Sequence, residues 1–284
     1  MKVLVPLDGS RLSDAVLPHV RRLLSGAASA CELHLLHVVH EAADARTEAR
    51  AEARAHLAAY EDLLTAEGFR VRPRVVPGDP VQEILEHVVD DGIDLVAMAT
   101  HGRSGVRRWV RGSVAERVLR GCPAPLLLVN PRGVLLEDDD VRYRRVLVPL
   151  VAGIAPAAAA ARTIADLAAA AGAEVLLLRS GGPGPTTDPV PALQSLLRDR
   201  GVTDVSVLEG QAGAPSRAIL AAATAVSPDL IALCAGARSG LSPWPLEAVV
   251  ERVTRHAPCP VLVLPLGAAP ALTDPRRHAR ARQP

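Results

Sequence analysis

The segment Ala99-Thr100-His101-Gly102-Arg103-Ser104-Gly105, running on to Gly112-Ser113, combines three features that suit an anion. Gly102 and Gly105 let backbone approach a ligand closely and permit positive φ. Gly112-Ser113 stands where a helix should open, and the free N–H groups and dipole of a helix start favour a phosphate. His101, Arg103, Arg107, Arg108 and Arg111 add positive charge around the same loop. Two shorter stretches, Asp8-Gly9-Ser10 and Val38-Val39, face it if each closes a strand of one sheet. Together these residues describe a phosphate site. The plain alternative is a flexible strand-to-helix loop with a serine N-cap.

Other chemistry-bearing groups read more blandly. Ser180-Gly181-Gly182-Pro183-Gly184 has the glycines of a phosphate loop but neither a lysine nor a following helix cap, so it is taken as a loop. On a strand His34 and His40 share one face and His37 takes the other, so the three do not converge on a metal. Asp8 is the only acid placed in the crevice. One carboxylate without a second, or without a nucleophile, is thin for hydrolysis, so no catalytic residue is assigned and a weak ATPase is the most expected. Cys31, Cys122, Cys234 and Cys259 stand far apart with no C-x-x-C pair, as buried small hydrophobes of a reducing compartment do.

The elements that must position these residues follow from periodicity. Apolar runs at 3–7, 33–39, 71–76, 94–99 and 125–130 read as buried parallel strands. Helix patterns lie between them at 11–24, 41–67, 80–91 and 113–120. Gly26, Gly68, Gly92 and Gly121 fall where C-cap glycines belong, and Pro80 and Ser113 mark helix starts. Alternation of this kind implies a doubly wound parallel sheet, whose ligands collect beyond the carboxyl ends of the strands at the switch in strand order.

The pattern then repeats. Val3-Leu4-Val5-Pro6-Leu7 returns as Val146-Leu147-Val148-Pro149-Leu150, and Asp94-Leu95-Val96-Ala97 as Asp229-Leu230-Ile231-Ala232. The later offset is about eight residues shorter than the first. The chain therefore divides into a first α/β domain at 1–131, a linker at 132–143, a second domain at 144–266 and a disordered, solvated tail at 267–284. Each domain is expected to be Rossmann-like, a five-stranded parallel sheet flanked by helices. The 284 residues carry 32 basic and 31 acidic side chains, a formal charge of +1, and five aromatics. That balance excludes a nucleic-acid binder held by a basic field or a stacking surface. No apolar run reaches the ~20 residues of a bilayer span, and the charged start of the chain does not read as a signal peptide.

Both copies resemble the universal stress protein family, and the whole chain resembles its tandem members. The resemblance is carried by Val3 to Ser10, Leu36-His37-Val38, Gly78-Asp79-Pro80, His101 to Gly105, Gly112 to Val118, and Cys122-Pro123-Ala124-Pro125. It implies an adenine nucleotide alpha hydrolase-like fold and a nucleotide laid across the switch point. The family's G-x-x-G-x9-G-[ST] motif falls on Ala99, Gly102, Gly112 and Ser113, with alanine in place of the first glycine. By resemblance Asp8 and Val38 hold the adenosine end, Gly102, Gly112 and Ser113 take the phosphates, and Ala99, His101 and Arg103 line the loop between. The implied ligand is ATP, with AMP or ADP as alternatives and Mg²⁺ accompanying the nucleotide. The implied protein is cytoplasmic and acts in stress response through nucleotide-linked association.

In the second copy Asp8 is matched by Val151, Ala99 by Cys234, Gly102 by Ala237, Gly112 by Glu247 and Ser113 by Ala248. A carboxylate stands where phosphate would rest, so this copy is expected not to bind ATP. It is expected to partner the first copy through the last strands, Leu126-Leu127-Leu128-Val129 against Val261-Leu262-Val263-Leu264, with a homodimer of the whole chain as a further possibility. Two alternatives remain. A purely structural or interaction module would follow if Ala99 had ended nucleotide binding. An adenylyl-transfer or ATP pyrophosphatase enzyme would need a Ser-Gly-Gly or His-x-Gly-His element, and Asp8-Gly9-Ser10 follows the first strand instead.

Overall fold

Runs of branched apolar residues with side chains buried on both faces become the central strands. In β1 (Lys2–Pro6), Val3, Leu4 and Val5 have no exposed surface. The computed structural model describes residues 1–25, 27–39, 46–100, 113–131, 142–151, 158–180, 188–211, 213–235 and 246–265. In the first repeat β1 is joined by β2 (Glu32–Val39), β3 (Arg70–Pro77), β4 (Leu95–Ala99) and β5 (Leu126–Val129). The second contributes β6 (Arg145–Val151), β7 (Glu174–Ser180), β8 (Val205–Gly210), β9 (Leu230–Ala235) and β10 (Val261–Pro265). All ten form one sheet in the order β3-β2-β1-β4-β5-β10-β9-β6-β7-β8. Each half is parallel and doubly wound, with its switch between β1 and β4, or between β6 and β9.

The halves meet as the apolar last strands suggest. β5 and β10 pair antiparallel, Leu126 opposite Val263, Leu127 opposite Leu262 and Leu128 opposite Val261. Alternate side chains feed two cores, one on each face of the sheet, and both cores run across this seam. The first face is covered by α1 (Arg11–Asp14), α2 (Leu17–Leu23), α3 (Arg46–Ala66), α6 (Ala158–Ala171) and α7 (Val190–Asp199). The second carries α4 (Pro80–Asp90), α5 (Val114–Gly121), α8 (Pro215–Val226) and α9 (Leu246–His256). A buried polar contact supplements the seam. Arg22 of α2, almost fully buried, sits 3.0 Å from Asp229, donates to the Arg142 carbonyl at 2.8 Å, and lies 4.7 Å above the Tyr143 ring. Asp229 in turn accepts from the N–H groups of Arg144 and Arg145.

Several expectations are corrected. The helix expected at 11–24 is two, because Pro18 needs a first-turn position and starts α2 after a turn at Ala15-Val16. The strand at 71–76 is not buried: it is the outer strand β3, with Arg70, Arg72, Pro73 and Arg74 exposed. Gly68 and Gly92 do take positive φ after their helices, but Gly121 ends α5 without it. A Cβ at Gly121 would come within 3.1 Å of the Leu85 side-chain end, so α5 approaches α4 closely there. Gly26, the linker as far as 141 and the tail from 266 lie outside the described residues. The missing eight residues fall on the crossover before the outer strand, where α3 has 21 residues and α7 has 10.

Candidate functional site

The switch point brings Asp8, Val38 and Ala99 to the carboxyl ends of the adjacent strands β1, β2 and β4. Asp8 is held by a short local network. Its Oδ1 accepts from the Ser10 N–H at 3.0 Å, while its own N–H donates to Ser13 Oγ at 3.2 Å. Ser13 Oγ–H donates to the Ser10 carbonyl at 2.8 Å, and Ser10 Oγ caps α1 by accepting from the Ser13 N–H. Gly9 makes this possible by turning the chain at φ 78°. Val38 packs on the second-face core beside Val76.

Ala99 is 8% exposed, pairs with Val129 and, by strand alternation, shares the first face with Leu95 and Ala97. Its methyl group is therefore directed away from the side of the sheet that carries α5. Ser113 is the N-cap of α5, its Oγ accepting from the Glu116 N–H at 3.2 Å. The N–H groups of Val114 and Ala115 precede the first intrahelical bond, so this helix start retains donors. His101, Gly102, Arg103 and Gly112, with the other loop arginines, lie outside the described residues. Four of the eight expected residues, Asp8, Val38, Ala99 and Ser113, thus lie among the described residues.

Further polar pairs lie on the neighbouring elements. Asp79 caps α4, accepting from the Val81 and Gln82 N–H groups at 3.0 Å each, and its carboxylate faces Arg117 of α5 at 3.3 Å. The Gln82 N–H first, and Arg117 with it, holds its carboxyl below the usual range. On the opposite face, Asp14 lies 3.1 Å from His56 Nε2, and burial, then Asp14, pushes the Tyr60 hydroxyl up to about 12. His56 and Tyr60 are four apart on α3, the one signal that could have paired them in advance. His37, edge-on to His56, shares that cluster, whereas His34 turns the other way to Glu32 at 2.7 Å. His40 lies outside the described residues, and among those described no group of His, Cys, Asp and Glu is arranged to hold a metal.

The second repeat is built differently at the same place. α9 begins at Leu246, the residue aligned with Arg111, so Glu247 and Ala248 are inside the helix rather than before it. Cys234, in the place of Ala99, is buried, which pushes its thiol up to about 12. Burial likewise raises Cys31, Cys122 and Cys259, and all four cysteines are free thiols held protonated. The loop at 236–245, with Ala237, lies outside the described residues.

The fold is that of a duplicated, doubly wound α/β protein with a switch in strand order in each half. A model of the universal stress protein family matches residues 1–130 and 184–265, and the chain belongs to that family. It is 26% identical over 154 residues to a universal stress protein of Methanocaldococcus jannaschii, covering 45% of this chain and 94% of that protein. In fold it is similar to the crystal structure of a universal stress protein from Archaeoglobus fulgidus, with TM-score 0.70 and 22% identity over 93% of this chain and 96% of that one. A universal stress protein structure from Pseudomonas aeruginosa matches with TM-score 0.63 and 19% identity, over 93% and 92% of the two chains. No described helix is long and apolar enough to cross a membrane.

Proposed function

We propose that the chain binds ATP, with the Mg²⁺ that accompanies the triphosphate, in the first-repeat crevice only, and acts in the cytoplasmic stress response through that occupancy. The observation that carries this reading is the asymmetry of the two helix starts. In the first repeat α5 opens at Ser113 with donors left over, and the Asp8 turn is held by its own hydrogen bonds. In the second, α9 extends over the aligned position and encloses Glu247, whose negative charge opposes an anionic ligand. The direction of Ala99 supports the same reading, since its methyl group leaves the α5 side of the crevice open.

The adenosine end would rest against Asp8 and Val38. The phosphates would rest at Gly102, Gly112 and Ser113, with His101 and Arg103 supplying charge. Occupancy would alter association, with slow hydrolysis of the nucleotide at most. Thermal-shift titration with ATP–Mg²⁺ against AMP tests the reading, alongside mass analysis of the purified chain for retained nucleotide. Asp8→Ala and Gly112→Glu are expected to abolish the shift, and Glu247→Ala to leave it unchanged. Binding retained in Gly112→Glu would overturn the assignment, and no shift with any nucleotide would favour an interaction module.

A further inference from the structure

The two ends of the sheet, β3 and β8, are counterparts in the repeat, yet they finish it in opposite ways. Register pairs Leu33 with Val71 and Val175 with Val205, so residues 71–75 correspond to residues 205–209. The Arg70 N–H donates inward to the Cys31 carbonyl, and the Asp204 carbonyl accepts inward from the Val175 N–H. Alternation therefore turns Val71, Pro73, Val75 and Pro77 outward in β3, and Val205, Val207 and Glu209 outward in β8. The two prolines remove the outward donors that would let another strand add to β3, a usual way of blunting an edge. Each outward residue of β8 keeps both its N–H and its carbonyl. Among the described residues, no strand pairs with that side of β8.

The surfaces beside the two edges differ in the same sense. Next to β3, Arg72 pairs with Glu32 at 3.0 Å, Arg74 with Asp91 at 3.3 Å, and His34 with Glu32. The residues matching Arg72, Arg74, His34 and Asp91 are Ser206, Leu208, Leu176 and Val226, and they line an open groove of about 440 Å³. Arginine and histidine at one end of the sheet are replaced by serine and leucine at the other, and the groove also keeps the Arg145–Glu174 ion pair and Ser227. On the opposite face of β8, Val207 is 37% exposed.

We propose that β8 is a docking edge for a second copy of this chain, the two β8 strands pairing antiparallel about a two-fold axis at Val207. The pairing is self-complementary. Val207 meets the partner's Val207, and Val205 meets the partner's Glu209. Ser206 lies opposite the partner's Leu208, so each leucine enters the groove beside the other copy's small serine. Glu209 is already neutralised by Arg179 of its own chain, so the approach sets no unpaired like charges together. The join repeats the mode the chain uses at its β5–β10 seam, two parallel half-sheets meeting antiparallel, and extends the same sheet.

The test is sedimentation velocity on the full chain, stripped of nucleotide, over a concentration series. A monomer–dimer equilibrium is expected, weakened about tenfold or more by Val207→Pro, which copies Pro73, and by Ser206→Arg, which copies Arg72. Unfolding midpoints read alongside distinguish loss of pairing from loss of fold, since neither position donates a bond within the sheet from its altered group. A monomer at every concentration overturns the proposal. So does a dimer indifferent to both substitutions, or a series of open-ended oligomers, which would mean contact between unlike edges. None of these outcomes depends on nucleotide binding.

Discussion

His19 shows what burial without a partner does to a single side chain. It lies on α2 beneath the sheet, and its Nδ1 has no hydrogen-bond partner among the described residues. Burial first, and the charge of Arg22 second, hold its pKa down to about 4 against an ordinary 6.5. The folded chain therefore refuses a proton that the unfolded chain accepts below pH 6.5. Stability should be level above that pH and fall as pH drops towards 4, by up to about 3 kcal/mol for the full shift. Urea unfolding at several pH values should show this slope, and His19→Gln should flatten it; an unchanged slope would remove His19 as its source. The turn at Asp8 and the cap at Ser113 could be read in advance because each is built from bonds within five residues. His19, Arg22 and Tyr143 could not, because what gives them their character lies across the fold, as with the Arg22 bond 120 residues away.

Helix caps display the drift of the second copy at the level of elements. Asp79 caps α4, and its counterpart ahead of α8 is Ala214, which offers no side-chain acceptor although Gly213 and Pro215 keep the turn. Ala214→Asp should restore the cap and stabilise the chain by about 0.5–1 kcal/mol, while Asp79→Ala should cost a similar amount. Chemical-denaturation midpoints check both, and a destabilised Ala214→Asp would show that the two turns are not equivalent. A related change ends the same helix: Ser227 holds a left-handed φ of 46° where Gly92 ends α4. The central strands were legible because both faces are apolar over five or more residues. The exposure of β3 was not, since Val71, Val75 and Val76 look like core until the sheet order places them at an end. The loop at 101–112 was legible only as composition.

At the scale of the molecule, Arg22 ties the first repeat to the second more specifically than the apolar seam does. Arg22→Met would leave Asp229 facing a hydrocarbon, though the Arg144 and Arg145 N–H groups would still bond it. A loss of about 3 kcal/mol is expected, at the lower end for a broken buried pair. Hydrogen exchange should quicken at the start of β6 and β9 before it does in β1 and β2; uniform quickening would mean that Arg22 contributes only bulk stability. The pairing of β5 with β10 was legible, because four-residue apolar edges in both copies have few other ways to be covered. The direction of that pairing has its own effect on how the copies can diverge. β5 and β10 run antiparallel while strands within each half run parallel, so the carboxyl ends of the two halves open on opposite rims. No ligand, loop or bridging side chain can serve both crevices. A substitution that ruins one does not touch the other, and a duplicated chain of this geometry can lose one site without disturbing the one it keeps.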